Sequence, residues 1–459
     1  MERKNAWKEY DKKEIKDLEK LCKEYKSFLN HGKTERECVK QVVTMAKECG
    51  YQDLQELIKQ GSKLKTGDKV YAVNMNKAIA LFQIGKNSLV EGLNILGAHI
   101  DSPRMDVKQN PLYEDTDLAY LDTHYYGGIK KYQWVTLPLA IHGVVAKKDG
   151  TLVDIVIGED DKDPVFCVTD LLIHLAGEQM DKKAAKVVEG EQLDILIGSK
   201  PLPKEEKEPV KKMVLSILKK KYDIEEEDFL SAELEIVPAG KAKDAGLDES
   251  MVIGYGQDDR VCAYTSAKAM FDMGSVERTA CCLLVDKEEI GSVGATGMQS
   301  KFFENTVTEL MDLCGGYSEL NLKRCLANSY MLSSDVSAAY DPIYGSAFEK
   351  KNCAYFGRGV VFNKFTGSRG KSGSNDANAE YIGKLRKIMD DNHVAFQTAE
   401  LGKVDIGGGG TIAYILSLYG MNVIDSGVAV LNMHAPWEIT SKADIYEAYK
   451  SYKAFLKDA

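Results

Sequence analysis

The chain has 459 residues, 44% hydrophobic and 28% charged with 10 prolines, a balance that excludes a disordered or fibrous protein and suits about two folding units. Its 70 acidic residues against 60 basic give a net charge of −10 without a basic stripe, which argues against a nucleic-acid partner. No apolar run of 18 residues occurs and the opening MERKNAWKEYDKKEIKDLEK is charged, so no membrane association is expected and the cytoplasm is the expected compartment.

Leu18, Leu21, Tyr25 and Leu29 recur at three-to-four spacing within residues 5–30 and predict a helix. Thr34 with Glu37 forms a capping box for a second helix that stops near Gly50. VYAVNM and AIALFQIG read as strands, and LNILGAHI as a buried strand. Between about Met105 and Leu247 the pattern changes to alternating strands (WVTLPLAIHGVVAKKDGTLVDIVIG), a charge-dense segment from Lys204 to Asp228, and a further strand, AELEIVPA. This predicts an inserted β-rich domain over 106–247 that interrupts a catalytic domain of 1–105 and 248–459. The competing reading makes the charged segment a solvated helix and linker.

From Ile253 strand and helix alternate. VCAYTSAKAMFDM is helical, TACCLLVD a buried strand, ANSYMLSSD a strand, DANAEYIGKLRKIMDD a helix, HVAFQTAEL a strand, TIAYILSLYG a helix and GVAVLNMH a strand. Ser441 with Asp444 is expected to cap a final helix. The pattern predicts an α/β fold with a mixed, mostly parallel sheet flanked by helices. The 10 cysteines include Cys281-Cys282 in an apolar run and no CxxC, so reduced, mostly buried thiols are expected.

Ligand-type residues stand at the C-terminal ends of these strands, where α/β proteins build sites. In GAHIDSP, His99 and Asp101 are two apart and share one side of an extended strand, so the imidazole can bind a metal while the carboxylate orients it. A surface hydrogen-bonded pair is the plainer reading of HxD alone. In GYGQDDR, Asp258 and Asp259 repel unless a cation or Arg260 relieves them, though an acidic helix start would need neither. In DKEEIGS, Glu288 and Glu289 can serve one site only if the chain turns, as Gly291 suggests; one would ligate a metal and the other accept a proton from water. Asp335 in SSDVSAA and His434 in VLNMHAP each read singly as structural polar groups. Together these elements supply the donors of a two-metal hydrolytic site without a thiolate.

In this order HID, QDDR, KEEIGS, SSD and MHAP closely resemble the aspartyl aminopeptidase family of cocatalytic zinc exopeptidases, along nearly the whole chain. The resemblance implies a zinc exopeptidase-like fold and removal of N-terminal residues from peptides. It implies two divalent ions, zinc or else cobalt or manganese, held by His99, Asp258, Glu289, Asp335 and His434, with Asp258 bridging. By the same likeness Glu288 is the general base, Asp101 the orienting aspartate, and Asp258-Asp259 a cis peptide. The insertion would pair subunits into dimers and a tetrahedral dodecamer. His174 in LLIHLAG would reach a partner's site, although Leu171, Leu172 and Leu175 around it also suit a core histidine.

The run Gly407 to Gly410, with Gly408 and Gly409 nearest the substrate by resemblance, shows on its own only flexibility or close backbone approach. The family's preference divides between acidic and neutral or apolar first residues, and QDDR departs from its animal members. Lys364, Arg369 and Lys371 could form a basic pocket or a solvated loop. A related carboxypeptidase or deacylase would use similar ligands. A redox or nucleotide enzyme would need GxGxxG or GxxxxGK[ST], both absent from the sequence. An inactive scaffold would be expected to lack a ligand or the base.

Overall fold

The computed structural model describes residues 3–459. The chain forms two compact units, one gathering the residues up to Asp101 with Ala242–Met433 and Glu438–Ala459, the other Ser102–Lys241 with His434–Trp437. This division falls at 102 and 241, where the sequence suggests 106 and 247.

The first unit is built on a nine-stranded mixed sheet whose centre runs, in spatial order, Ala78–Gln83, Thr279–Val285, Leu93–His99, Tyr330–Ser333 and Asn422–Gly427. The last four of these run parallel to one another. Consecutive side chains on a strand face opposite sides, and the strand Thr279–Val285 shows what that requires of its sequence. Ala280, Cys282 and Leu284 enter one apolar layer, while Cys281, Leu283 and Val285 enter the other. A strand buried on both faces reads as an unbroken apolar run, which is why ACCLLV is legible.

Helices Lys12–His31, Glu35–Glu48, Gln257–Phe271, Ala379–Asp391 and Lys442–Asp458 cover one layer. Helices Leu54–Lys59, Phe302–Leu313 and Glu319–Ala327 cover the other. The first helix buries Leu18, Leu21, Tyr25 and Leu29 as the periodicity predicts, and the second begins with the Thr34–Glu37 capping box. The mixed, mostly parallel sheet between helices is the α/β architecture expected from the alternation.

Several expectations need correction. Asn422–Gly427 and Val360–Asn363 are strands that the sequence pattern did not reveal, because Asp425, Ser426 and Asn363 interrupt the apolar runs yet are buried. Helices Phe302–Leu313 and Glu319–Ala327 were likewise not anticipated. TIAYILSLYG forms only the short helix Ala413–Ser417. Ser441 begins the final helix without a side-chain cap. Asp444 instead turns inward, and its carboxylate accepts from Gly357 N at 2.9 Å and Gly359 N at 2.8 Å. Burial raises its pKa to about 8, against those two amide donors, which lower it.

The second unit holds a seven-stranded antiparallel sheet. Its longest hairpin joins Arg104–Asp115 to Leu118–Tyr126 through Thr116 and Asp117, both at positive φ, the backbone that two-residue hairpin turns demand. Leu139–Ala146 and Leu152–Ile157 pair within it, and Trp134 to Pro138 stay outside the strand that WVTLPLA suggested. The charge-dense segment becomes the helix Pro209–Tyr222, with proline at its start.

Asp444→Ala should strand two buried amide donors and lower stability by about 1–3 kcal/mol, read as a fall in the urea midpoint with an unchanged slope. An unchanged midpoint would show that those amides find other partners.

Candidate metal centre

The strand Leu93–His99 ends with its histidine side chain fully buried in the first unit. His99 Nε2 lies 3.3 Å from Asp258 Oδ1, 3.9 Å from Glu288 Oε2 and 3.9 Å from Asp335 Oδ1. It makes no aligned hydrogen bond among the described residues. Its other ring nitrogen, Nδ1, faces the Asp101 carbonyl oxygen at 3.0 Å and Asp101 Oδ1 at 3.3 Å. The imidazole is thus fixed on one side and points a bare nitrogen at three carboxylates on the other.

Each carboxylate is delivered by a different device. Asp258 precedes the regular turns of Gln257–Phe271, and it and Asp259 keep non-helical backbone, which removes the acidic helix start as an explanation. The Asp258-Asp259 peptide is cis. Asp258 N donates to Glu438 Oε2 at 2.9 Å, and Asp259 Oδ2 accepts from His99 N at 3.3 Å. Arg260 sends its Nε to Ile100 O and an Nη to Lys33 O.

After the strand Thr279–Val285 the chain turns at Lys287, with φ 70, into one 3-10 turn, Glu288–Ile290, closed by Gly291 at φ 95. This turn puts both glutamates on the site. The Asp101 carboxylate sets it by accepting from Glu288 N and Glu289 N, each at 3.2 Å. Beneath it, Asp286 accepts from Thr296 Oγ1 at 2.6 Å and Lys287 N at 2.8 Å. Asp335 follows the strand Tyr330–Ser333 and is buried.

One ligand atom from each of His99, Asp258 and Asp335 lies within 4.8 Å of the other two, and the same is true of His99, Glu288 and Glu289. Burial raises the carboxyl pKa of Asp335 well above the usual range, and the neighbouring Asp259, Glu288 and Asp258 charges raise it further. Burial likewise raises Asp259. For His99, burial disfavours the imidazolium, but Asp101, Asp258 and Glu288 outweigh it and hold the pKa well above its ordinary value. A buried imidazole nitrogen without an aligned partner, ringed by oxygens that repel one another, fits a divalent cation, and an N/O donor set without sulfur suits zinc, cobalt or manganese.

The remaining sequence candidates are His434, His174, the glycine run and the basic loop. His434 groups with the second unit, where its Nδ1 faces Gly128 O at 2.9 Å. His174 is exposed in a 3-10 turn of that unit among exposed Leu171, Leu172 and Leu175, so the core reading of LLIHLAG fails. At Gly408, φ is 106 and a Cβ would meet Ser368 Cα at 2.5 Å; at Gly409 the nearest atom would be Leu401 Cδ2 at 3.4 Å. The glycine run is thus a close approach of two loops. Lys371 pairs with Asp376 at 3.0 Å and lies 3.9 Å from the Phe365 ring centre.

Three residues have roles that the sequence reading did not assign. Glu438 anchors the Asp258 amide, Asp286 underpins the glutamate turn, and Asp425 is fully buried, with a pKa raised to about 7 by burial against hydrogen bonds with Thr411 and Ser333. A lone acid inside a strand carries no spacing signal. Only Asp286, adjoining KEE, was marked by position.

A family model for aminopeptidase I zinc metalloproteases (M18) matches residues 28–456. A probable M18 family aminopeptidase 1 of Clostridium acetobutylicum is 64% identical over 458 residues, covering all of this chain and 98% of the relative. The crystal structure of the M18 aminopeptidase of Thermotoga maritima superposes with a TM-score of 0.96 at 44% identity, over the full length of both chains. The S. cerevesiae mApe1 dodecamer shares the fold at a TM-score of 0.77 and 18% identity, over 96% of this chain and 97% of that one.

Ligation needs a neutral imidazole and ionised carboxylates. Without a cation, the raised pKa keeps His99 protonated above its ordinary titration range, so uptake must expel that proton and strengthens as pH rises. Apparent zinc affinity, read by competition with an indicator dye, should keep climbing above about pH 6.5, where an ordinary histidine would level off. A plateau there would contradict this protonation state.

Proposed function

The chain belongs to the M18 family of aminopeptidase I zinc metalloproteases, and from that premise we propose that its strand-end cluster holds two divalent cations beside Glu288 as the general base. As a member it is a metallo-aminopeptidase, a hydrolase that removes N-terminal residues. That membership sets aside the carboxypeptidase, deacylase, redox and inactive-scaffold readings. The observation that supports the finer assignment is the double clamp of Asp101 on the Glu288 and Glu289 amides. One carboxylate registers both glutamates against His99.

The residues that would hold the cations are His99, Asp258, Glu289, Asp335 and His434, and Asp258 would be the carboxylate shared by both. His434 starts the turn His434–Trp437, which joins the paired strands Ala429–Leu431 and Glu438–Ser441 of the first unit. Divalent ions at such a site supply Lewis acidity to the scissile carbonyl and lower the pKa of water from 15.7 towards about 7. Glu288, whose side chain is 16% exposed, takes the proton of the attacking water and returns it to the leaving amine. Asp101 acts through position, holding the His99 ring and the glutamate turn. Gly408, packed against the Ser368 backbone, and Gly409 would lie beside the substrate.

Two of the basic charges near residue 370 are engaged, Lys371 by Asp376 and the Phe365 ring and Lys364 by the same Asp376 at 3.9 Å. That favours a neutral or apolar first residue over an acidic one. The second unit is proposed as the dimerisation domain, with Leu171, Leu172, Ile173 and Leu175, 46–68% exposed, as its contact and His174 reaching the partner's site. Assembly into a dodecamer is supported by the S. cerevesiae mApe1 dodecamer, and its tetrahedral closure is part of the proposal. Ten free cysteines among the described residues support a reducing cytoplasmic setting.

Glu288→Gln should retain bound metal and lose kcat by roughly 10²–10⁴-fold, the scale of a general base; near-normal turnover of an aminoacyl amide would refute the assignment. Leucyl amides should be cleaved with higher kcat/KM than aspartyl amides, and the reverse order would point to the basic loop as an acidic pocket. Leu171→Asp combined with Leu175→Asp should shift the mass by light scattering toward monomer, whereas an unchanged mass would place the interface elsewhere.

A further inference from the structure

We propose that the second unit carries a binding site for a medium-chain aliphatic carboxylate, in the cavity between its sheet and the helix Pro209–Tyr222. The cavity holds about 340 Å³. Its floor is one face of the sheet, where Ile141 pairs with Ile157 and Gly143 with Ile155 and Leu234. Gly143 brings no side chain to the middle of that face, and cannot gain one cheaply, because a Cβ would come within 1.9 Å of the Glu233 carbonyl oxygen. The roof is the helix, through Val214 and Leu218. Sheet and helix are therefore held apart over an apolar space that neither fills.

The chemistry of the lining selects the occupant. A cavity of about 150 Å³ lined by such residues stays dry and accepts benzene. Twice that volume accommodates a chain of about ten carbons. The polar groups at this cavity belong to the end of the helix, where Lys221 and Tyr222 join the lining. Lys219 is paired with Asp223 and Glu225, whereas Lys221 is exposed and has no carboxylate partner among the described residues. An apolar slot with one unpaired ammonium at its rim matches an alkyl chain that ends in a carboxylate. None of these residues belongs to the metal centre, so occupancy leaves the hydrolytic machinery untouched.

The test is titration of decanoate into the full-length protein by calorimetry, with decanol as the neutral control. One saturable site per chain is expected. Val214→Phe, which fills the space, should abolish it while leaving aminopeptidase activity intact. Lys221→Gln, a surface change that does not threaten folding, should weaken decanoate roughly two- to fivefold, the scale of one exposed ion pair, and leave decanol unaltered. Absence of saturable decanoate binding, binding that survives Val214→Phe in the folded protein, or equal indifference of both ligands to Lys221→Gln would each overturn the proposal.

Discussion

Mutual repulsion among buried carboxylates is the constraint around which the first unit is organised. Asp258, Asp259, Glu288 and Asp335 crowd one imidazole in a space that water hardly enters. In the absence of a counter-charge such a group must take up protons, as the raised pKa values of Asp335 and Asp259 show. The fold nevertheless holds Asp258, Asp259 and Glu288 in place through hydrogen bonds of main-chain amides, and this is the pattern of a site shaped for cations rather than for its own lowest energy.

The sheet is what makes that crowding achievable. Parallel central strands end together, so residues far apart in sequence arrive at a common edge. What distinguishes the proposed ligand positions is the step immediately after each strand. The extended run simply stops at His99, and a left-handed residue followed by a 3-10 turn aims two consecutive glutamates the same way. Asp101 links the first of these steps to the second. The proposed hydrolytic centre is thereby fixed mainly by backbone amides, which are stiffer than paired side chains and less easily lost by substitution.

Much of this was legible in the amino-acid order because the strongest physical signals are local. The apolar runs ending in HID and DKEE announce both a doubly covered strand and the candidate ligands at its end, and the Thr34–Glu37 box announces a helix start that the structure shows. What stayed hidden depends on tertiary partners. Ser441 and Asp444 have the spacing of a cap, yet the carboxylate is drawn to the amides of Gly357 and Gly359, some eighty-five residues away. Asp425 and Asn363 break the apolar pattern of strands that are buried all the same. The opposite error occurs at LLIHLAG, whose leucines imitate an interior segment and lie on the surface. An exposed apolar segment and a core segment have the same composition.

The alternation of side chains along Thr279–Val285 has a chemical corollary for Cys281 and Cys282. Although adjacent in the chain, the two sulfurs are separated by the backbone itself, each sealed in a different hydrocarbon compartment. Burial drives both thiol pKa values up, away from the nucleophilic thiolate. A vicinal disulfide cannot close across a pleated strand, so the most conspicuous cysteine pair in the sequence is redox-silent for as long as the sheet stays folded.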